Sequence, residues 1–136
     1  MPSLKPITIT AATTLSRNVH ANAIVNVNST TGRAITLPAA TGTGDVYTLY
    51  FVSTVSSGSH TVVRAGSDVI IGAVGLTTDI AGTTMPAAST TATITMNGST
   101  TGGVIGSMLR LTDAISGKWM LEGNLICTGT EATPFS

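Results

Sequence analysis

Apolar and polar residues alternate along much of this chain, in short runs broken by glycine, proline and small hydroxyl residues. A period of two is the mark of a half-buried strand. Ile7 to Thr10 alternates cleanly and predicts a first short strand after two prolines, Pro2 and Pro6, that suit an extended arm. Ala11 to Asn18 is polar and reads as a loop. Val19 to Val27 alternates over most of its length, with Val25 and Val27 on one face and Asn26 and Asn28 on the other. A turn at Ser29 to Arg33 leads into a strand at Ala34 to Leu37, which Pro38 ends. Ala39 to Asp45 (AATGTGD) is a loop, and Val46 to Ser53 (VYTLYFVS) is the strongest strand signal in the chain. His60 to Ala65 forms a return strand after a hairpin-type turn at Val55 to Ser59, and Asp68 to Ile71 a further short one. Gly72 to Met85 reads as loop because of Gly72, Gly75 and Gly82. Ala92 to Met96 alternates, with a turn signal at Asn97-Gly98. The last strands are placed around Ser107 to Thr112, at Lys118 to Glu122 and at Asn124 to Cys127. Thr128 to Ser136 is a polar tail.

No segment carries a convincing helical period. Eight to ten short strands at this spacing predict an all-β fold, a two-sheet β-sandwich occupying residues 1–136 as a single domain. Its extended ends are an N-terminal arm, 1–6, and a C-terminal tail, 128–136. No fixed-period repeat is visible, which speaks against propellers and solenoids. The uneven connections fit Greek-key or jelly-roll crossings.

Composition sharpens the picture. Charged residues are 9% of the chain and formally cancel, while hydrophobic residues reach 42% with only 4% aromatic. Threonine, serine and glycine supply 54 of the 136 residues, so hydroxyl groups do the wetting that charge usually does. Six scattered basic residues do not make a phosphate-binding stripe, so no nucleic-acid partner is expected. No stretch approaches the roughly 20 apolar residues of a membrane helix, and the N-terminus lacks the apolar run of a signal peptide. A nearly charge-free surface is poorly defended against association and suits a chain that works inside an assembly.

Candidate chemistry is sparse. His20 and His60 are the only histidines, both are placed on strands, and neither has ligand spacing, so each reads as a locally hydrogen-bonded side chain. Cys127 ends an apolar strand with nothing basic beside it and reads as an inert buried thiol. Asp45 and Asp113 fall in turns, where aspartate serves its own backbone. Gly42-Thr43-Gly44 lacks the Lys-Ser/Thr and the strand-to-helix setting of a phosphate loop. Parity separates Tyr50 from Tyr47 and Phe51, so these aromatics form no sugar-stacking stripe: Phe51 and Trp119 belong to the core, and Tyr50 to the surface or an interface. No enzyme, metal or cofactor is expected.

The run from Arg33 to Gly44 (RAITLPAATGTG), the Tyr/Phe-rich strand after it, and the stretch His60 to Gly72 (HTVVRAGSDVIIG) together resemble small head decoration, or cement, proteins of tailed bacteriophages. The resemblance spans roughly Gly32 to Gly75. It implies a jelly-roll domain on the outer surface of the virion capsid, bound to the major capsid protein, self-associated as a homodimer or homotrimer, with no cofactor and no catalysis. It also implies lattice contacts made by the terminal arms, here Met1, Pro2, Ser3, Leu4, Lys5 and Pro6 at one end and Thr133, Pro134, Phe135 and Ser136 at the other. Strand addition onto a neighbour would suit such arms. The alternative is a tail-fibre or receptor-binding β-module recognising a cell-surface glycan through loops such as Thr77–Ser89. A small cupin-like enzyme is a third reading, which two separated histidines do not favour.

Overall fold

A computed structural model describes residues 6–136. In chain order its elements are β1 (Ile7–Ile9), β2 (Thr13–Thr14), α1 (Arg17–His20), β3 (Ile24–Val27), β4 (Ala34–Thr36), β5 (Val46–Phe51), β6 (His60–Val63), β7 (Val69–Thr77), β8 (Gly82–Pro86), β9 (Thr93–Met96), β10 (Met108–Ile115) and β11 (Lys118–Ile126). They build two sheets, one of seven strands in the order β1-β3-β5-β10-β11-β7-β8 and one of four in the order β2-β4-β6-β9. The protein is an all-β two-sheet sandwich, as the alternation predicts.

The connectivity differs from a jelly roll, whose strands exchange antiparallel neighbours. The first six strands alternate between the sheets, and each lies parallel to the strand two before it in the chain: β1 with β3, β3 with β5, β2 with β4, β4 with β6. A chain that crosses to the other sheet and returns arrives in its original direction, so winding of this kind gives parallel pairs. Its steps are uneven. Ile7 pairs with Val25 and Val25 with Leu49, separations of 18 and 24 residues, which is why no fixed period shows in the sequence. The later strands pair antiparallel in β5–β10, β10–β11, β7–β8 and β6–β9, with β7 parallel to β11.

One apolar cluster fills the space between the sheets. β5 shows how the alternation feeds it: Tyr47, Leu49 and Phe51 are buried while Tyr50 is exposed. Tyr47 meets Trp119 edge-on, ring centroids 5.5 Å apart at 77°, the geometry that aromatic quadrupoles favour. Val25, Val27, Leu109, Leu121 and Leu125 face Ile35, Leu37, Val62, Ile94 and Met96 from the smaller sheet.

Four readings depart from the predicted elements. The turn at Val55 to Ser59 closes no hairpin, because β5 and β6 lie in different sheets and the chain crosses between them there. The polar loop at 11–18 contains β2 and the start of α1, and the strand predicted from Val19 begins only at Ile24. Val19 is exposed, so its place in the alternation carried no burial, and Asn22 turns the chain with φ 55°. The stretch 72–85 is not loop: β7 runs through Gly72 and Gly75 to Thr77, and β8 follows. A Cβ on Gly72 would collide with the Leu121 carbonyl oxygen, so the glycine permits close approach of β7 to β11. The two last predicted strands are one, β11, continuous through Gly123.

The C-terminal tail finds its strand partner within its own chain. Phe135 bridges to Ile94, the Ser136 carbonyl accepts from the Ala92 and Thr93 amides at 2.7 and 2.9 Å, and the Thr95 amide donates to the Pro134 carbonyl at 2.7 Å. The tail extends the four-stranded sheet beyond β9.

Candidate interaction surface

The predicted reactive residues resolve into structural ties. His20 closes α1, and its Nδ1 accepts from the Ser16 amide at 2.9 Å. On β6, His60 Nδ1 accepts from the Arg33 amide at 3.0 Å, with the ring tilted over Phe51. Burial holds both imidazoles below the ordinary value of 6.5. Local hydrogen bonding is what the sequence predicts for them, although His20 sits on a helical turn rather than a strand. Cys127 is buried, and burial pushes its thiol up, so the thiolate that nucleophilic chemistry needs is disfavoured. Among the described residues, no three or more His, Cys, Asp or Glu side chains gather where they could hold a metal ion.

The Gly42–Gly44 loop does cradle an anion, and the anion is the chain's own Asp113. Its carboxylate accepts from the Gly42 amide at 2.7 Å, the Thr41 amide at 3.2 Å and the Thr43 hydroxyl at 2.9 Å. Burial alone would raise this carboxyl. The donors outweigh that effect and hold it below its ordinary value. Asp113 therefore lies on β10 and ties a loop some 70 residues away, rather than serving a turn of its own. Asp45 beside it takes an ion pair from Arg17 at 2.8 Å, and Asp68 accepts from the Ala40 amide at 2.8 Å.

Several large apolar side chains face outward. Register sets the outer face of the seven-stranded sheet. One row runs Thr8, Asn26, Tyr50, Met108, Asn124 across β1, β3, β5, β10 and β11, and the next runs Ile24, Thr48, Arg110, Glu122. Arg110 and Glu122 neutralise each other at 3.0 Å. Ile24, Tyr50 and Val52 are exposed along the parallel half of the sheet, as is Ile105 in the loop that follows Val104. Two shallow grooves lie at the ends of β5. One, of about 340 Å³, is lined by Asn22, Ala23, Ile24, Val46 and Thr48; the other, of about 290 Å³, by Tyr50, Phe51, Val52, Ile105, Gly106 and Ser107. The opposite face of the molecule is different. There Thr14, Thr36, Val63 and Thr93 form one row and Ala34, Thr61 and Thr95 another, with no charged side chain in either.

At the tip of the β7–β8 hairpin, Thr78 closes the turn on Ala81 by backbone and hydroxyl hydrogen bonds, and Ile80 projects 92% exposed.

Of the predicted lattice-contact residues, Met1, Pro2, Ser3, Leu4 and Lys5 lie outside the described residues, and Pro6 is exposed. Thr133 and Ser136 are exposed at the tail, Pro134 is buried, and Phe135 packs partly against the core. Tyr50 is exposed, as its parity predicts. Ile80 and Ile105 escaped the sequence reading. The available signal was a lone large aliphatic residue among small and polar ones at Ile80, and the Val104-Ile105 pair in a glycine-rich turn. No family model, curated protein or solved structure matches the chain.

Proposed function

We propose that this chain is a structural virion protein, a decoration or cement subunit that binds the outside of an icosahedral phage head and stabilises the lattice of the major capsid protein. The observation that carries the reading is the uncovered outer face of the seven-stranded sheet. Parallel sheets are ordinarily covered on both sides. Here the parallel strands β3 and β5 present Ile24 and Tyr50 outward, with Val52 just past β5, beside two apolar grooves and one self-neutralised ion pair. A face of that kind suits a chain covered by partners, and the phage identity of the partner rests on the resemblance carried by residues 32–75.

The physics of such a brace is simple. A subunit that binds the expanded lattice and not the collapsed one stabilises the former by mass action. Each contact can be weak, because many copies act on one shell. Hydroxyl and amide groups at the interface form hydrogen bonds without the desolvation penalty of buried charge.

The test is co-sedimentation of the purified chain with expanded heads assembled from the major capsid protein of the phage that encodes it. Binding should saturate at a fixed ratio to capsid subunits and raise the temperature at which the heads break. Deleting Met1–Lys5 should abolish binding and leave the melting of the free protein unchanged. Absence of binding by the intact chain, with a positive signal on a glycan array, would replace this reading by the receptor-binding one.

A further inference from the structure

We propose that copies of this chain exchange their C-terminal tails, Thr133–Ser136 of one pairing with β9 of another in the place that its own tail takes here. This exchange does not depend on the capsid reading.

The argument begins with the edge of β9, whose occupant the structure shows. Thr93 and Ser136 trade amide-to-carbonyl hydrogen bonds at 2.9 and 3.0 Å, and the Thr95 amide donates to the Pro134 carbonyl at 2.7 Å. Phe135 lies opposite Ile94 and packs partly against the core, with Pro134 buried beside it. This edge is matched to one sequence, and every copy of the chain carries that sequence. A second copy therefore offers an equal occupant and needs no new interface. Among the described residues the tail is also the outermost strand of its sheet, so its release disturbs no strand beyond it. Reciprocal exchange gives a closed two-fold pair.

The closed and exchanged forms share every strand pair, so the difference between them lies in the join from β11 to the tail, residues 128–132. Two backbone bonds hold this join in the closed form, from the Thr128 amide to the Ser99 carbonyl at 3.0 Å and from the Ala132 amide to the Thr100 carbonyl at 2.9 Å, and Gly129 bends it at φ 74°. Thr128, Gly129, Thr130 and Ala132 are exposed. Glu131 is not: one of its carboxylate oxygens is shut away from solvent with no hydrogen-bond partner among the described residues. A buried acceptor without a donor destabilises the form that contains it, and more so when it belongs to a charged group. Extending the join toward a neighbour returns that oxygen to water. Short hinges that carry strain of this kind promote exchange. Five extended residues span about 16–18 Å, enough to reach a copy lying alongside the same sheet edge. The tether opposes exchange, because a short linker holds the tail at its own edge with an effective concentration of about 1 mM. Exchange is therefore expected at chain concentrations of that order.

The test uses two single variants of the full chain, Thr93→Cys and Ser136→Cys. Residues that trade both hydrogen bonds across antiparallel strands lie about 5.5 Å apart at Cα, within the reach of a disulfide. Neither side chain makes a hydrogen bond of its own among the described residues, so each variant should melt like the parent. The folded variants are mixed at about 1 mM in a glutathione redox buffer, where a bond formed only by collision does not persist. A closed chain cannot join 93 to 136, because each variant lacks one of the two thiols. Mass spectrometry of the cross-linked fraction should show the mixed 93–136 pair well above the statistical share set by the 93–93 and 136–136 pairs. Glu131→Ala, added to both variants, removes the unpartnered oxygen and should lower the yield of the mixed pair by about fivefold. A mixed pair at or below its statistical share, with both variants folded, would overturn the proposal. A yield that Glu131→Ala leaves unchanged would overturn the join as its driving force.

Discussion

The first half of the chain and the second build the same sandwich by different means. From β1 to β6 no strand pairs with its successor; every neighbour is reached by crossing to the other sheet and back. From β7 onward, β7–β8 and β10–β11 are local antiparallel pairs whose turns set their own register. Local pairs close short loops, whereas a wound chain must close long ones before any ladder forms. The polar ties are distributed accordingly. In the wound half they are long-range: Arg33 amide to His60 and Val46 amide to Asn22 fix one crossover against another, while Ala40 amide to Asp68 and the 41–43 loop to Asp113 on β10 anchor its β4–β5 crossover to the later strands. In the hairpin half most are local turn bonds, as at Thr78 and Asn97, with the exposed cross-strand bond of the Thr77 hydroxyl to Asn124 as an exception, and the ion pair of Arg110 with Glu122 is exposed.

Asp113→Ala should have the largest effect. It strips the acceptor from the Thr41 and Gly42 amides and the Thr43 hydroxyl at a buried site. Hydrogen bonds to a charged group and donors left unsatisfied together predict a loss of about 3 kcal/mol in urea unfolding. A loss below about 1 kcal/mol would mean that the loop is held by its ladder and that the wound half needs no such tie.

Acid should separate the halves next. Both imidazoles are held below 6.5 by burial, so as the pH falls through that value the unfolded chain binds protons that the folded chain refuses. Stability contributed by the neutral histidines is present above 6.5 and is lost as the pH drops toward their folded values. Asp113 acts in a second window. Its contribution is full above the ordinary carboxylate value of 3.8 and disappears as the pH falls through its lower folded value. Hydrogen exchange between pH 7 and 5 should show amides of β4 and β6 losing protection before those of β10 and β11. Equal loss in both halves would remove His60 as the local cause.

Asn22 offers a smaller lever on the same half. Its side-chain oxygen accepts from the Val46 amide at 3.0 Å, and its backbone sits at φ 55°, a region asparagine tolerates better than alanine. Asn22→Ala should cost about 1–2 kcal/mol in the same unfolding measurement, and Asn22→Gly less, because glycine relieves the backbone while still losing the tie.

These ties also mark where the sequence stops being readable. β5 and β9 stand out because strict alternation maps onto one buried face, and the parity of Tyr50 alone places it outside. The winding is silent, since parallel and antiparallel strands share the same period. Gly72 and Gly75 read as a loop because the reason for a glycine at position 72, the passage of β7 against Leu121, lies some 50 residues further along. The partner of Asp113 is equally distant in sequence. At the surface the limitation is of another kind. Tyr50 belongs to a periodic strand, but Ile80 and Ile105 sit in turns, where no period says whether an aliphatic side chain points inward or out.

The smallest effect belongs to the hairpin half, and its smallness is the point. Glu122→Ala removes the partner of Arg110 from a pair that is 42% and 65% exposed. Two long side chains in water gain little from each other, so the loss should stay within about 0.5 kcal/mol and fall further as salt is added. The register of β10 against β11 is set by their shared turn at Ser116–Gly117 and by Leu109, Leu111, Trp119 and Leu121 beneath them, none of which the substitution touches. A cost from Glu122→Ala approaching that of Asp113→Ala would show that surface charge aligns this pair as well. The division between a half fixed by polar ties and a half fixed by its own ladder would then fail.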